Sequence, residues 1–135
     1  MGPVVLDTSV VVAFSNPLDA HHEHAFAEIT ARRKMSQQLK VSVVTIAELH
    51  SLAGPGRKAR IAQVGQFIDA LGEGAVVGVD HRIAELAGAQ RARRPSLQLA
   101  DSLIKATADS IDGQLLTADR RLAKLSGVNL LGENR

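Results

Sequence analysis

Short apolar runs alternate with longer helix-like segments along the whole chain, and this alternation restricts the possible fold more than any other feature. The runs that start at Val4, Lys40, Ala75, Gln114 and Val128 are rich in Val and Leu and too short to be helices. Such runs are typical of buried strands. Alternating strands and helices imply right-handed crossovers, so the sequence predicts an α/β fold in which helices cover both faces of a parallel five-stranded sheet.

The composition is that of one globular domain, predicted to span residues 1–135. The chain has 135 residues, of which 45% are hydrophobic, which is enough for a real core. It has no cysteine, which excludes a disulfide framework and a thiolate zinc site. No apolar segment reaches transmembrane length, and the start lacks the pattern of a signal peptide. We therefore expect a soluble cytoplasmic protein without a membrane contact.

Four acidic residues lie where strands end or where the following helices begin. Asp7 and Asp119 directly follow predicted strands, whereas Glu48 and Asp101 lie near the starts of predicted helices. Ligands of open α/β sheets bind just outside the carboxyl ends of the strands. All four carboxylates can therefore reach one edge of the sheet.

Each acid also has an ordinary local interpretation. Asp7 can cap the helix that follows it, and Asp119 can open another helix. Thr45 and Glu48 have the spacing of a capping box. Asp101 has Lys105 four residues further on as a helical ion-pair partner. These alternatives stay open at the level of single motifs.

A cluster of four carboxylates predicts metal chemistry. The negative charges would repel one another and raise one another's pKa values, which folding alone does not require. Mg²⁺ and Mn²⁺ favour carboxylate oxygens and retained waters. Metals held in this way activate water and stabilise charge at a phosphate. The predicted chemistry is metal-dependent phosphodiester hydrolysis.

The charge balance favours a polyanionic partner. The chain has 16 Lys and Arg against 14 Asp and Glu, so four clustered acids would leave an excess of six positive charges elsewhere. The basic residues predicted to contact RNA are Arg57, Lys58, Arg60, Arg91, Arg93, Arg94, Arg120 and Arg121. An alternative for the last turn of the helix that ends before Pro95 is favourable charge at a helix C-terminus.

Four segments resemble the motifs of PIN-domain nucleases in order and spacing. They are Val5-Leu6-Asp7-Thr8-Ser9, Thr45-Ile46-Ala47-Glu48-Leu49, Leu99 to Ala108, and Leu115-Leu116-Thr117-Ala118-Asp119. The resemblance covers essentially the whole chain. A free-standing domain of this length is most similar to the VapC toxins of toxin–antitoxin pairs.

The resemblance implies a PIN-like three-layer fold with strand order 3-2-1-4-5. It also implies a Mg²⁺- or Mn²⁺-dependent endoribonuclease that uses metal-activated water on structured RNA such as tRNA or rRNA. A homodimer and inhibition by a cognate VapB-type antitoxin follow from the same likeness. The family's acidic positions, which are its catalytic and metal-binding positions, match Asp7, Glu48, Asp101 and Asp119.

Three further positions are compared with the family pattern. Thr8 and Thr117 match its hydroxyl positions, which implies that they orient carboxylates or water. Lys105 is a departure, because a small residue is common at that point. If its ammonium reached the acidic pocket, it would replace part of a metal's charge.

Other protein classes fit less well. A phosphatase of the haloacid dehalogenase type requires a second Asp two residues after the first, where this chain has Ser9. A receiver domain requires an acidic pair near its N-terminus, which is missing. The remaining alternative is a catalytically degenerate PIN-like module that binds RNA or a protein without cutting.

Overall fold

A five-stranded parallel sheet forms the centre of the computed structural model, which describes residues 2–133. The strands are β1 (Val4–Leu6), β2 (Leu39–Ser42), β3 (Val76–Val77), β4 (Gln114–Thr117) and β5 (Val128–Leu130). Their order is β3-β2-β1-β4-β5, and every neighbouring pair is parallel. The predicted α/β fold and strand order are confirmed.

The first strand is central because its residues are apolar on both faces. Val4, Val5 and Leu6 are fully buried. Val5 is paired with Lys40 of β2 on one side and with Leu115 of β4 on the other. A strand with neighbours on both sides and helices above and below exposes no side chain to water, which explains the continuous apolar run.

Six α-helices cover the two faces of the sheet. They are α1 (Thr8–Ser15), α2 (His22–Lys34), α3 (Val43–His50), α4 (Arg57–Ala70), α5 (His81–Arg93) and α6 (Leu99–Ser110). Successive side chains of a strand point to opposite faces. Val4 and Leu6 accordingly pack in a core with apolar side chains of α1 to α4, whereas Val5 packs against Ile104 and Ala108 of α6.

Two local predictions about helix starts are wrong. Helix α3 begins at Val43, and its N-cap is Ser42, whose side chain accepts a hydrogen bond from Val44 N at 3.0 Å. Thr45 therefore does not cap a helix. Asp119 does not open an α-helix either, because only a short 3₁₀ helix, Leu122–Lys124, follows β4. No helix within residues 2–133 is long and apolar enough to cross a membrane.

Candidate active site at the carboxyl edge of the sheet

Asp7 is the buried centre of the acidic site. It occupies the N-cap position of α1, but its side chain makes no capping hydrogen bond, so the cap interpretation is wrong. Instead its Oδ2 accepts hydrogen bonds from Ser9 Oγ at 2.7 Å and from Thr117 Oγ1 at 2.8 Å. Only 5% of Asp7 is exposed. A carboxylate this buried requires such partners, and hydroxyls that follow β1 and end β4 supply them.

The same hydroxyls join the ends of the two central strands. Thr117 Oγ1 accepts a hydrogen bond from the backbone N–H of Asp119 at 3.0 Å. Ser9 Oγ accepts one from Ala118 N at 3.1 Å. The loop that carries Asp119 is therefore fixed to the residues that hold Asp7.

Glu48 is brought to this edge by α3. It lies in the second turn of that helix, and its Oε1 accepts a hydrogen bond from Thr8 Oγ1 at 2.6 Å. The Thr8 hydroxyl also lies 3.0 Å from Thr45 Oγ1, and Thr45 is fully buried. Two threonines from different helices thus determine the position of the Glu48 carboxylate.

Asp101 experiences the charges of the other three acids. Its pKa is raised from 3.8 to about 6, first by burial and then by the negative charges of Asp7, Glu48 and Asp119, with Arg121 acting in the opposite direction. No group within residues 2–133 donates a hydrogen bond to its side chain. The fold therefore brings the four acids into one electrostatic cluster in which Asp101 carries the uncompensated charge.

Asp119 is compensated by a nearby cation. Burial acts to raise its pKa, but the Arg121 side chain and backbone N–H outweigh burial and hold the pKa of Asp119 below its usual value of 3.8. The Arg121 guanidinium lies 3.2 Å from Asp119 Oδ2, and Arg121 N donates to Oδ1 at 2.8 Å. The pKa values of Asp119 and Asp101 are consequently shifted in opposite directions although the two acids share one site.

An open cavity of about 350 Å³ adjoins these two acids. Asp101 and Asp119 line it together with Arg94 and Arg121. Two of the eight predicted RNA-binding residues therefore face the same space as the acids. Opposite charges around one cavity suit a phosphate held beside a cation site.

Other basic residues from the prediction are engaged in local contacts. The Arg57 guanidinium donates to the carbonyls of His50 and Leu52, and the Arg60 guanidinium donates to those of Ala53 and Pro55. Arg91 Nε donates to Leu97 O at 2.9 Å. These hydrogen bonds shape the loops between helices. The contact of these residues with RNA stays a prediction.

The helical ion pair expected between Lys105 and Asp101 does not form. Lys105 Nζ instead binds Asp109 Oδ1 at 2.5 Å, one helical turn in the other direction. Its ammonium therefore points away from the acidic cluster. The structure gives no support for Lys105 as a replacement for part of a metal's charge.

Sequence reasoning missed two hydroxyl residues of the site. Ser9 contacts Asp7 directly, and Thr45 supports Thr8. A usable signal existed for Ser9, because it lies only two residues after Asp7, directly beyond the predicted strand. No comparable signal existed for Thr45, since its partner lies 37 residues away.

The donor set of the cluster suits a hard divalent cation. Carboxylate oxygens favour hard cations such as Mg²⁺ or Mn²⁺ over softer metals. Within residues 2–133 no group of three or more His, Asp or Glu side chains is arranged so that it could hold an ion in its present positions. The donor set therefore fits such an ion by its chemistry, and not by a preformed arrangement of three ligands within residues 2–133.

Comparison with known families identifies the fold. The sequence model of the PIN domain matches residues 4–128. This chain belongs to the PIN domain family. The matched part of this PIN domain includes the four acids Asp7, Glu48, Asp101 and Asp119. No relative was found among proteins of curated function.

Solved structures with the same fold include chains from toxin–antitoxin complexes. A chain of "Toxin-antitoxin complex from Klebsiella pneumoniae" has a TM-score of 0.70 and 22% identity, covering 93% of this PIN domain and 95% of that chain. A chain of FitAcB from Neisseria gonorrhoeae has a TM-score of 0.72 and 22% identity over 93% and 96%. A chain of VapBC2 from Rickettsia felis, bound to a promoter DNA fragment, has a TM-score of 0.76 and 14% identity over 97% and 98%. At these identities the likeness concerns the fold.

Proposed function

We propose that this chain, acting as a single PIN domain over residues 1–135, is a metal-dependent endoribonuclease and the toxin of a type II toxin–antitoxin pair. Its substrate is structured RNA such as tRNA or rRNA. The observation that carries the proposal is the electrostatic cluster at the carboxyl edge of the sheet, where burial and then the negative charges of Asp7, Glu48 and Asp119 raise the pKa of Asp101. Such repulsion is costly unless a cation relieves it.

The residues that would hold Mg²⁺ or Mn²⁺ are Asp7, Glu48, Asp101 and Asp119. When bound, the ion supplies Lewis-acid stabilisation of charge at the phosphate and activates water for attack. Asp101 is the first candidate ligand because its carboxylate has no competing hydrogen bond within residues 2–133. Asp7 offers Oδ1, since Ser9 and Thr117 engage only Oδ2.

The surrounding residues orient the carboxylates and the substrate. Thr8 holds Glu48, and Thr117 holds Asp7, each through a hydroxyl hydrogen bond. Arg94 and Arg121 line the cavity beside Asp101 and contact the phosphate oxygens of RNA. The remaining basic residues contact the RNA backbone further from the acids, where they contribute affinity and not sequence selection.

The proposed partners are an antitoxin of the VapB type and a second copy of this chain. Support comes from the structural likeness to chains of toxin–antitoxin complexes. A cytoplasmic location follows from an RNA substrate. Co-purification with the product of an adjacent small gene, and sedimentation of the isolated chain, test these two contacts.

RNA cleavage under controlled metal conditions tests the proposed activity. Purified protein should cut tRNA with Mg²⁺ or Mn²⁺, and EDTA should abolish cutting. Asp101→Asn should lose activity. Asp112→Asn is the matched control, because Asp112 is exposed, precedes β4 at the opposite edge of the sheet and has a φ of 51°, which Asn tolerates. Undiminished cutting in EDTA would refute the mechanism.

A binding module that does not cut is the alternative function. The lack of a preformed three-ligand group within residues 2–133 favours it. It predicts RNA binding without cleavage in Mg²⁺ and in Mn²⁺, and equal behaviour of Asp101→Asn and Asp112→Asn. The same assay therefore distinguishes the two functions.

A further inference from the structure

A second, smaller cavity lies next to the acidic one. It has a volume of about 220 Å³ and is formed by the end of α5, the middle of α6 and the loop before β5. Arg94, Leu97 and Leu125 line both cavities. The two spaces are therefore adjacent, with Arg94 at their common border.

A buried lysine forms part of the wall of this second cavity. Only 7% of Lys105 is exposed, and its Nζ is bound to Asp109 Oδ1. The other oxygen of Asp109 accepts a hydrogen bond from Gln90 Nε2 at 2.8 Å, which links α5 to α6. Because Asp109 is held from both sides, the ammonium has a fixed position. Lys105 has three N–H donors and gives one to Asp109.

The cavity carries a positive charge. Lys105, Arg93 and Arg94 line it, and Asp109 is the opposing acid, so two positive charges are in excess. The charge and the free donors favour an anion with several oxygens.

We propose that this second cavity is a phosphate subsite, which takes an RNA backbone phosphodiester neighbouring the one that lies at Asp101. The proposal rests on the proposed function, since it assigns a place to the same RNA strand. Lys105 supplies a fixed point charge, and Arg93 and Arg94 supply planar donor groups. The strand runs from the acidic cavity past Arg94 to Lys105. Lys105 is then a positioning residue, which determines which phosphodiester reaches the acids.

The competing interpretation is purely structural, with Lys105 and Asp109 stabilising α6. The two interpretations differ in the salt dependence of RNA binding. Each backbone phosphate neutralised by a protein cation contributes a log–log slope of about −0.7 for single strands. A cation that only stabilises a helix contributes nothing to this slope.

The first measurement is RNA affinity at several salt concentrations, in EDTA so that no cutting occurs. Lys105→Met keeps the apolar stem and removes the charge. We expect this substitution to make the negative log–log slope shallower by about 0.7. Lys34→Met is the matched control, because Lys34 is exposed at the end of α2, before β2 begins at the opposite edge of the sheet. It should leave the slope unchanged. Equal slopes for parent and Lys105→Met would overturn the RNA subsite.

The second measurement uses inorganic phosphate and does not depend on ribonuclease activity. Phosphate should raise the Tm of the parent and of Lys34→Met by the same amount, and that of Lys105→Met by less. A phosphate effect without a change in RNA slope would mean that the cavity binds free phosphate and would overturn its role for RNA. No difference between parent and Lys105→Met would overturn the anion site itself. Absence of RNA cleavage with a positive phosphate effect would instead refute the proposed function alone.

A second variant covers the case in which Lys105→Met does not fold. Arg93→Gln with Arg94→Gln changes two exposed side chains at the end of α5 and leaves the Lys105–Asp109 pair intact. We expect the negative slope to become shallower by up to about 1.4, because two phosphate contacts would be lost and each contributes about 0.7. The phosphate effect on Tm should shrink as well. An unchanged slope and an unchanged phosphate effect would overturn the subsite.

Discussion

The Thr117 hydroxyl serves two acids at once, because it donates to Asp7 and accepts from the N–H of Asp119. Thr117→Val keeps the shape but leaves both groups without this partner. Since Thr117 is fully buried, we expect the free energy of unfolding to fall by about 1–3 kcal/mol. Cleavage should fall as well, because Asp7 and Asp119 lose their common support.

Chemical denaturation of the parent, Thr117→Val and Thr117→Ser measures this effect. Thr117→Ser retains the hydroxyl and should stay close to the parent in activity. If Val and Ser behaved alike, the hydroxyl would have no part in holding the acids.

Asp101 should make the metal-free protein less stable at neutral pH than at mildly acidic pH. Its folded-state pKa of about 6 lies above the ordinary 3.8, so folding takes up a proton between these values. The cost of burying the ionised carboxylate, together with its repulsion by the other acids, is therefore fully present above about pH 6 and is relieved as the pH falls towards about 4. Asp101→Asn removes it and should raise the Tm in EDTA at pH 7.

The expected gain is on the order of 1 kcal/mol, because partial exposure of Asp101 screens its charge, and this corresponds to a few degrees in Tm. The gain should disappear near pH 4. Thermal melts of parent, Asp101→Asn and Asp112→Asn at both pH values measure it. A gain of the same size at pH 4 would contradict the assigned repulsion.

Helix α5 depends on a single side-chain cap. Asp80 Oδ1 accepts a hydrogen bond from Ile83 N at 2.8 Å, as expected for a helix that begins after Asp80. Asp80→Ala should lower the stability by about 1 kcal/mol, whereas Asp80→Asn should lower it very little. Urea denaturation of the three proteins gives the comparison. Equal losses for Ala and Asn would assign the effect to charge and not to capping.

The strands and helices were predictable from the pattern of apolar residues in the sequence. Their boundaries were less predictable. Short apolar runs located the five strands within residues 2–133, although only β1 is buried along its whole length; Val76 of β3 is 42% exposed, and β5 is half-buried. The start of α3 was not predictable from Thr45 and Glu48. Val43 and Val44 favour a strand by propensity, but they enter the helix because tertiary context overrides propensity.

The side-chain partners within the site were less predictable than its place in the fold. The convergence of the four acids followed from strand ends and parallel order. Lys105 could pair one turn back with Asp101 or one turn on with Asp109, and spacing alone does not distinguish these partners. Thr117 and Asp7 are 110 residues apart in the sequence, so no local sequence pattern predicts their contact.

At the scale of the whole molecule, metal binding and folding should be linked. An ion that binds only the folded chain adds about 2.7 kcal/mol of stability at 100 times its Kd. For a domain of this size we expect the Tm to rise by roughly 10 °C. Melts of the parent with EDTA and with increasing Mg²⁺ or Mn²⁺ measure this rise. Asp101→Asn should respond much less, whereas Asp112→Asn should respond like the parent; identical responses of all three would mean that the ion binds elsewhere.

The central place of β1 has a consequence for the newly synthesised chain. Of the five strands of this sheet, β1 is synthesised first and lies in the middle, so its pairing with β4 must wait for the segment that begins at Gln114. Asp7 cannot accept the hydrogen bond from Thr117, nor lie near Asp119, until β4 and the loop after it have been translated. Chains fold as their segments emerge, so an incomplete product holds only scattered acids. Within this PIN domain, the proposed site can therefore form only after β4 has been synthesised.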